Sequence, residues 1–520
     1  MSLTKVSYSM IDGAPVSVKD FGAVGDGVTD DTAAIQAAID YASTTGGNQV
    51  LFPSGRYNTS STINITADGI SLVGHGERNT IIQPFFSGGD VILVAPTGGA
   101  TRLDCFAMDG FTIDPPTAFP RTSGAHINLT SAYQANVSNI EFRDCFVGLK
   151  VTGANSAHQV FENLIMRGII AGTGIGILLE NGIDQMFNYI SINNGVGFEP
   201  LAGIKIEQNQ ALWIDNSDIL RCQYGMLIAP GVSQLVTWSF ISNTAFDYCS
   251  IDGVRISPFD NSSVINGLQF VGCWTSSCTQ RGFHITKAGA TTVDNIPKGI
   301  KLNSHRAVNN GSNGFLATTG TQIDIANSYF GGNGKTTAGT IAGIQFNDIL
   351  YFSVTTSGSG WQFGYSSTIQ VTGLTIAGAS NFYRIIGNDF YGNVVKGLSD
   401  TSSSTVKQVF GNTPATDRED TFTLGSNNAD SLKSIMTATA TWDPATVLAG
   451  GYASRSITVS GAAVGDVATA TLSSIGFNDF LISSVVADAN EVRVIIQNID
   501  SSPIDLPSGT LNVMVTKLGF

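Results

Sequence analysis

A degenerate repeat that begins with glycine runs through the middle of the chain. Each copy is a glycine followed by an apolar or small residue, a variable residue and an apolar residue, and successive copies start 22 to 29 residues apart. The copies are GAHINL from Gly124, GLKVT from Gly148, GILLE from Gly176, GIKIE from Gly203, GMLIA from Gly225, GVRIS from Gly253 and GFHIT from Gly282, with GIQFN from Gly343 further along. This alternation predicts short strands with one buried face.

A second strand lies between successive copies, as in NIEFRDC, YISINNG and NSDILRC, and Asn or Gly marks the corners. Two or three short strands per repeat with polar corners are typical of a parallel β-helix. Each turn of such a solenoid buries its apolar residues against the turns above and below. The pattern continues less regularly from Gly299 to Gly411.

The six cysteines have no paired zinc-type spacing, so we expect buried free thiols. Alignment of the second strands on Phe142, Ile192, Ile219, Phe240 and Phe270 brings three cysteines to one position of the repeat. These three are Cys145, Cys222 and Cys273. They fall on non-adjacent turns, which favours core thiols over mutual disulfides.

Composition excludes several classes of function. Charged residues make up 13% of the chain and the net charge is −14. An acidic chain lacks the basic footprint that nucleic acid or an anionic membrane requires, so neither is expected as the main partner. No apolar run is long enough to span a bilayer, and the first twenty residues have no apolar core of a signal peptide.

The stretch KDFGAVGDGVTDDTAAIQAAID, residues 19–40, has the glycines and acids of a ligand loop. A phosphate loop needs a preceding strand, a fuller glycine motif and usually a lysine, and an EF-hand needs alternating acids and a distant Glu. The open end of a β-helix, by contrast, needs a cover. We therefore predict a capping helix near residues 30–42, with Asp30 or Asp31 as N-cap and with Ala34, Ile35, Ala38 and Ile39 on its apolar face.

These motifs resemble a known family. VKDFGAVGDGVTDDTAAIQAAI, VLFPSGRY and ISLVGHGERNTII are similar to the N-terminal part of β-helix proteins of the pectate-lyase superfamily, particularly phage tailspikes. The resemblance implies an all-β fold, a right-handed parallel β-helix, in a homotrimer that binds bacterial surface polysaccharide. It also implies a virion tail protein, made in the host cytoplasm, that contacts other tail or baseplate proteins through its N-terminus.

The chain after residue 412 has a different pattern. A polar stretch is followed by alternating strands such as MTATATW, RSITVSG and TLNVMVTKL, which predict an antiparallel β-sandwich. This part resembles a terminal domain of phage tail fibres and spikes, which implies trimerisation, glycan contact or both. The expected domains are a neck at 1–16, the β-helix at 17–412, a linker at 413–435 and the β-sandwich at 436–520.

Two glutamates on neighbouring copies of the repeat are the first catalytic candidates. Glu180 and Glu207 occupy the fourth, outward position after their glycines and should stack about 4.8 Å apart. Paired carboxylates at about 5–5.5 Å are typical of a retaining glycosidase. The alternative is a solvated ladder whose repulsion is relieved by Lys150 and Lys205 on the adjacent outward row.

A second cluster contains Asp215 and Asp218, which a corner at Asn216–Ser217 could both turn outward. O-antigen-cleaving tailspikes carry a Glu about one turn before a close Asp pair, and Glu180 followed by Asp215 and Asp218 is similar in spacing. The alternative is that both acids satisfy corner backbone groups. The residues expected to contact substrate are Asp184, Glu199, Lys205, Trp213, Arg221, Tyr224 and Trp238.

The sequence thus predicts a tailspike that hydrolyses a capsule or O-antigen with paired carboxylates and without a metal or other cofactor. A non-catalytic adhesin and a polysaccharide lyase are the alternatives. For a lyase, the region of Asp252 and Arg255 is the best available candidate. Asp144 and Arg167, aligned on adjacent turns, are expected to form a surface salt bridge.

Overall fold

The computed structural model describes residues 15–45, 49–260, 262–286, 296–335, 341–360, 370–404, 406–412, 432–474 and 480–518. Within this part the chain forms two compact units. The first holds residues up to 380 together with 388–402, and the second holds 381–387, 403–412 and the residues from 432 onward. Most of the predicted neck and linker lies outside the described residues.

The first unit is a parallel β-helix with three stacks of strands, which we call ladders one, two and three. Ladder three contains the glycine repeat and has thirteen strands, one per turn. Its strands are Ile63–Ile65, Ile92–Val94, Ala125–Thr130, Val147–Thr152, Ile175–Leu179, Ala202–Ile206, Tyr224–Ile228, Asp252–Ile256, Arg281–Ile285, Phe315–Ala317, Ala342–Asn347, Thr372–Ala377 and Lys396–Asp400. The predicted right-handed parallel β-helix is confirmed.

Ladders one and two follow each other in every turn. Four long strands contribute to both: Ala107–Ile113, Asn136–Arg143, Val160–Arg167 and Ile183–Asn193. Ladder one also contains Val16–Ser17, Gln49–Phe52, Ser71–Gly74, Asn209–Asp215, Leu235–Ser242, Val264–Val271, Lys298–Asn303, Thr321–Ala326 and Leu350–Thr355. Ladder two also contains Asp26–Asp30, Gly55–Thr59, Thr80–Pro84, Asp218–Leu220, Ala245–Asp247, Trp274–Ser276, Arg306–Val308, Tyr329–Gly331 and Gly358–Gly360. A short pair, Leu103–Asp104 with Ala132–Tyr133, lies beside them.

A left-handed residue makes the corner between ladders one and two. Asn139, Asn163, Asn216 and Asn243 occupy it on four turns, with φ between 46° and 55°. Asn is among the few residues other than Gly that adopt this conformation at low cost. The corner turns the chain without an extra loop, so the strand register is kept from turn to turn.

Stacks of apolar side chains fill the interior. One stack runs along ladder three through Ile127, Leu149, Ile177, Ile204, Met226, Val254, Phe283, Phe315, Ile344 and Leu374, all buried. Burial of each such side chain contributes about 1.5–3 kcal/mol relative to its exposed state. The core therefore forms only when consecutive turns are stacked.

The predicted alignment of the cysteines is wrong beyond Ile219. Phe246 pairs with Ile219 on ladder two, whereas Phe240 and Phe270 lie on ladder one. The residues in register on successive turns are therefore Cys222, Cys249 and Cys278, as the neighbouring pairs Leu220–Asp247 and Asp247–Ser276 show. Five thiols are free and buried as expected, but Cys105 is exposed.

The N-terminal helix spans Thr32–Thr45 and follows a short 3-10 turn, Val18–Phe21. Its residues Ile35, Ala38, Ile39 and Ala42 are buried, which confirms the predicted capping helix. The Asp31 carbonyl accepts the Ile35 N–H at 2.9 Å. The Asp31 carboxylate accepts the N–H groups of Val24 and Gly25 at 2.6 and 3.1 Å. The backbone N–H groups of Val24 and Gly25 in the glycine-rich loop are thus hydrogen-bonded to the Asp31 side chain.

The second unit contains the C-terminal antiparallel sheets. Leu432–Trp442, Gly509–Leu518 and Val467–Leu472 form one sheet, and Tyr452–Thr458, Glu491–Asn498 and Phe480–Asp488 form the other. Alternate residues of two central strands, including Val494, Ile496, Val513 and Val515, are buried in a common core. Asn381–Ile386 and Lys407–Phe410 form a parallel pair in the same unit. No helix in the described residues is long and apolar enough to cross a membrane.

Candidate functional site

Charged side chains collect on the outer side of ladder three between the turns of Val147–Thr152 and Arg281–Ile285. Inward and outward residues alternate along each strand, so register decides which side chains are neighbours. Lys150, Leu178, Lys205, Leu227, Arg255 and His284 occupy one outward row. We define the charged face by the residues Lys150, Glu180, Lys205, Glu207, Tyr224, Asp252, Arg255, Arg281 and His284.

Glu180 and Glu207 occupy equivalent positions on neighbouring turns of this face. Each directly follows a ladder-three strand, and the preceding residues Leu179 and Ile206 are paired in register. The Glu180 N–H donates to the Val151 carbonyl at 2.9 Å, and the Glu207 N–H donates to the Leu179 carbonyl at 2.8 Å. Stacked positions in a parallel ladder lie about 4.8 Å apart. The structure thus brings the two glutamates together as the repeat indicated.

Each of these glutamates has its own lysine. Lys150 Nζ lies 2.9 Å from Glu180 Oε2, and Lys205 Nζ lies 2.6 Å from Glu207 Oε1. The glutamate side chains are 31% and 28% exposed, so solvent or a ligand can reach them. The lysines therefore reduce the repulsion between the two glutamates, as the alternative described above expected. Both carboxylates remain accessible.

A buried ionic cluster adjoins this pair along the same face. Tyr224, Asp252 and Arg281 stack in register on three successive turns. The fully buried Asp252 carboxylate accepts Arg281 Nη1 at 3.2 Å, and its Oδ2 lies 3.2 Å from His284 Nδ1. Arg255 Nη1 lies 3.8 Å from Asp252 Oδ2 and donates to Tyr224 Oη at 2.9 Å. A buried carboxylate therefore orients two guanidinium groups and one imidazole.

The imidazole of His284 is a buried member of this cluster. Burial lowers its pKa below the ordinary value of a histidine, although the hydrogen bond that the Asp252 carboxylate accepts acts in the opposite direction. The ring is therefore neutral at neutral pH. Its Nδ1 lies within hydrogen-bond distance of both Asp252 and Arg281. In the tautomer that donates from Nδ1 to Asp252, Nε2 carries a free electron pair that can accept a proton.

Asp215 and Asp218 lie away from the charged face. Asp215 ends a ladder-one strand and Asp218 begins a ladder-two strand, with the corner residue Asn216 at φ 51° between them. The corner turns both acids outward, but onto the outer sides of different ladders. The alternative trio of Glu180, Asp215 and Asp218 is therefore not one site within a chain, because its three members lie on three ladders.

The two aspartates differ in their surroundings. Asp215 Oδ1 accepts Ser242 Oγ at 2.7 Å and Asn243 Nδ2 at 3.1 Å, so it fastens the corner of the next turn. Burial and, after it, the neighbouring Asp247 raise the pKa of Asp218. Within the described part of the chain, the Asp215 carboxylate contacts side chains at the corners and not the backbone groups expected in the alternative.

Tyr224 and Lys205 are the predicted substrate contacts that the structure places on the charged face. Three others belong to its margins. Asp184 lies 3.4 Å from His158 at the corner that leads to ladder one. Glu199 accepts the Gly197 N–H in the loop that precedes ladder three, and Arg221 lies over the ring of Tyr248, 5.8 Å from its centroid.

The two tryptophans lie on a different side of the molecule. Trp213 and Phe240 stack on the outer side of ladder one, with ring centroids 5.9 Å apart. Trp238 is 57% exposed and has φ 54°, an unusual backbone conformation for a bulky residue. Neither tryptophan shares a ladder with Glu180 and Glu207.

Arg281 and His284 are residues of the charged face that the sequence did not single out. The repeat GFHIT places His284 at an outward position, but nothing local in the sequence reveals its partner 32 residues earlier. Asp252 and Arg255 appeared only as a possible lyase site. A comparison of the residues that directly precede the glycine of adjacent repeats would have found the cluster, since Asp252 and Arg281 are in register.

Comparison with known proteins finds similarity over parts of the chain. Residues 15–255 match the family model of Rhamnogalacturonase A/epimerase, pectate lyase-like. Mannuronan C5-epimerase AlgE4 of Azotobacter vinelandii is 47% identical over 106 residues, which are 19% of this chain and 19% of that protein. Alginate lyase 7 of the same organism is 31% identical over 210 residues, which are 34% of this chain and 22% of that protein. The matches thus span less than a quarter of the length of these relatives.

A solved structure extends the similarity along the chain. A variant of the tailspike protein of E. coli bacteriophage HK620, in complex with a pentasaccharide, aligns with a TM-score of 0.57 and 13% identity. The alignment covers 98% of this chain and 94% of the tailspike. The predicted resemblance to tailspike-type β-helices of the pectate-lyase-like superfamily is confirmed at the level of the fold.

Proposed function

We propose that this protein is a phage tailspike that binds a bacterial capsule or O-antigen and cleaves it as an endo-glycoside hydrolase. The proposal joins two lines of support. The tailspike with the same fold was solved in complex with a pentasaccharide, and two of the relatives are named as a mannuronan C5-epimerase and an alginate lyase. The charged face supplies carboxylates in a suitable arrangement.

The single observation that carries the hydrolase proposal is the stacking of Glu180 on Glu207 in an accessible position. Stacked strand positions are about 4.8 Å apart. The two catalytic carboxyl groups of a retaining glycosidase are separated by a similar distance, about 5–5.5 Å. One glutamate protonates the leaving glycosidic oxygen while the other attacks the anomeric carbon. A water molecule, deprotonated by the first glutamate, then hydrolyses the glycosyl-enzyme.

The lysines contribute by holding the glutamates in place. Each ammonium contacts one carboxylate oxygen in the structure and leaves the other available to the sugar. A polymer lying along the helix axis would pass from Glu180 and Glu207 toward Tyr224 and Arg255, which occupy the next two turns. These side chains can donate to sugar hydroxyl or carboxylate oxygens at neighbouring subsites.

The test is mass spectrometry of the products after incubation with a panel of purified bacterial surface polysaccharides. We expect fragments that carry one added water, and loss of at least 100-fold in rate for E180Q and for E207Q. E162Q is the matched control, because Glu162 is exposed on the outer side of ladder one. Full activity of both E180Q and E207Q would overturn the catalytic assignment.

The Asp252–His284 cluster favours one second candidate, a lyase. Its basic nitrogen and two guanidinium groups suit β-elimination from a uronate. In that reaction His284 takes the proton from C5, the bond from C4 to the glycosidic oxygen breaks, and a double bond forms between C4 and C5. Arg255 would balance the charge that develops on the uronate carboxylate, and the leaving oxygen takes a proton from solvent or from Tyr224.

The same product analysis separates the candidates. A lyase gives unsaturated fragments without added water, and H284Q would abolish their formation while E180Q would not. Binding of one polysaccharide without any fragments would instead identify a non-catalytic adhesin.

The assembly of the protein belongs to the same proposal. We expect a homotrimer attached to other tail or baseplate proteins through its N-terminal segment, as in the tailspikes that the sequence resembles. Native mass spectrometry of the full chain tests the trimer directly. A mass of one chain at micromolar concentration would contradict it.

A further inference from the structure

Three arginines and two glutamates form a second charged cluster, on the outer side of ladder two. Arg143 and Arg167 end two neighbouring strands and are paired in register, one turn apart. The turn of residues 75–79 adds Glu77 and Arg78, and Glu141 lies on the same strand as Arg143. We call Glu77, Arg78, Glu141, Arg143 and Arg167 the arginine site. The predicted salt bridge between Asp144 and Arg167 is replaced by this arrangement, because Arg167 aligns with Arg143.

Glu141 is the anion at the centre of the site. Its side chain is buried, and Oε2 accepts Arg143 Nη2 at 2.9 Å. Arg167 Nε lies 3.8 Å from Oε1 and Arg78 Nε lies 3.9 Å from Oε2. These two distances are beyond the range of a hydrogen bond. The Glu141 carboxylate therefore lies near three guanidinium groups but accepts a hydrogen bond from only one of them, that of Arg143.

Two of the three guanidinium groups are exposed to solvent. Arg78 and Arg167 are 71% and 57% exposed, and in the described part of the chain neither guanidinium donates a hydrogen bond. Glu141 Oε1 accepts none among those residues either, although it is buried. Two like charges stacked in register are destabilising unless an anion lies near both. Arg78 and Arg167 thus keep N–H donors that none of the described residues uses.

Four carboxyl groups adjoin these three guanidinium groups, namely those of Glu77, Asp114, Glu141 and Asp144. Asp114 Oδ2 lies 3.6 Å from Arg143 Nη1. Glu77 accepts Asn163 Nδ2 at 3.2 Å, and burial, with Glu141 as the next cause, raises the pKa of Glu77. Burial likewise raises the pKa of Asp144 beside Asp114. Two of the four acids around the site are therefore more readily neutral than ordinary carboxyl groups.

We propose that the arginine site binds a carboxylate-bearing sugar unit of the polysaccharide, on a side of the protein other than the charged face. Arg78 and Arg167 would donate to the sugar carboxylate, since a planar guanidinium matches a carboxylate in a two-point contact. Asn163 and Glu77 lie beside them and can contact sugar hydroxyls. The proposal shares the polysaccharide with the proposed function but does not depend on its cleavage.

Binding is tested on the full-length E180Q/E207Q protein, in which the proposed hydrolysis cannot consume the probe. The probe is a hexasaccharide of uronic acids, compared by isothermal titration calorimetry with the same hexasaccharide after reduction of its carboxylates to alcohols. We expect R78Q/R167Q in this background to lose at least tenfold in affinity for the acidic probe. The reduced probe should bind at least tenfold more weakly than the acidic one.

R102Q is the matched control. Arg102 is also exposed, but its guanidinium is already bonded to Asp104, with Nε at 2.8 Å. Affinity should be unchanged in R102Q. Circular dichroism of R78Q alone checks that the turn of residues 75–79 remains folded. Equal affinity for the two probes, no binding of the acidic probe, or full affinity in R78Q/R167Q would overturn the proposal. A protein that binds the acidic probe through these arginines but never cleaves a polymer would contradict only the hydrolase assignment.

Discussion

Glu207 and Asp252 lie two turns apart on the same ladder but in opposite environments. Glu207 is partly exposed and has one lysine, 2.6 Å away, on a flexible side chain. Asp252 is fully buried and is surrounded by Arg281, His284 and Arg255. An accessible carboxylate with one mobile partner can exchange that partner for a substrate, whereas a buried carboxylate with several fixed partners serves to orient them. The difference separates groups that can react from groups that position others.

The largest expected effect is that of D252N. The substitution leaves Arg281 and Arg255 without their buried counter-charge, and breaking a buried ion pair from one side costs about 3–5 kcal/mol. The free energy of unfolding of the β-helix, measured by chemical denaturation, should fall by that amount. D184N is the control, because Asp184 has a single, exposed partner in His158. A loss of less than about 1 kcal/mol for D252N would refute the fixed role assigned to this carboxylate, given the usual cost of a broken buried pair.

Acidification should weaken the same cluster through His284. Burial lowers the pKa of His284 in the folded protein, so the unfolded chain takes up the proton at a higher pH. The contribution to stability is therefore fully present above about pH 6.5 and is lost as the pH falls below it, by at most about 1.4 kcal/mol per pH unit. Protonation would also add a third positive charge beside Arg281 and Arg255.

The measurement is a series of unfolding curves between pH 7.5 and pH 5 for the parent and for H284Q. His126 and His305 are buried too, with burial lowering the pKa of each to about 3, so both proteins should lose stability in acid. The parent should lose more than H284Q. Parallel pH dependences would show that His284 does not titrate in the way its surroundings indicate.

The smallest expected effect belongs to the exposed pair. K205M and E207Q should each change the free energy of unfolding by about 0–1 kcal/mol, because solvent-accessible ion pairs contribute little to stability. A double-mutant cycle with K205M/E207Q isolates the coupling, which we expect at about 0.2–1 kcal/mol. A coupling above about 2 kcal/mol would mean that the pair resembles a buried network and would remove the contrast with Asp252.

The repeat made the arrangement of ladder three predictable. Inward and outward positions follow directly from alternation, so Ile177 and Leu179 in the core and Glu180 outside could be read from GILLE. The stacking of Glu180 on Glu207 could be predicted for the same reason. The N-terminal helix was predictable because its apolar face and its preceding acids are local features.

The other two ladders were harder to predict. The left-handed corner divides each turn into two strands without a loop, and its residue changes from Asn to Gly, Ser or Tyr along the stack. The alignment of apolar residues therefore matched Ile219 of ladder two with Phe240 of ladder one, although the two residues are not in register. For the same reason the sequence did not reveal that Asp215 and Asp218 lie on other ladders than Glu180. It also did not reveal that Arg143 is in register with Arg167.

The class of fold, the stacking along ladder three and the exposed position of its glutamates follow from the sequence alone. The glycine repeat recurs every 22 to 29 residues, and inward and outward positions alternate within each strand. Which distant charges meet depends on the folded chain. Asp252 contacts His284, and Glu141 lies near Arg78 and Arg167, although the partners are more than twenty residues apart in the sequence. Such contacts depend on the length and the corner geometry of whole turns, which vary from one turn to the next and have no local period.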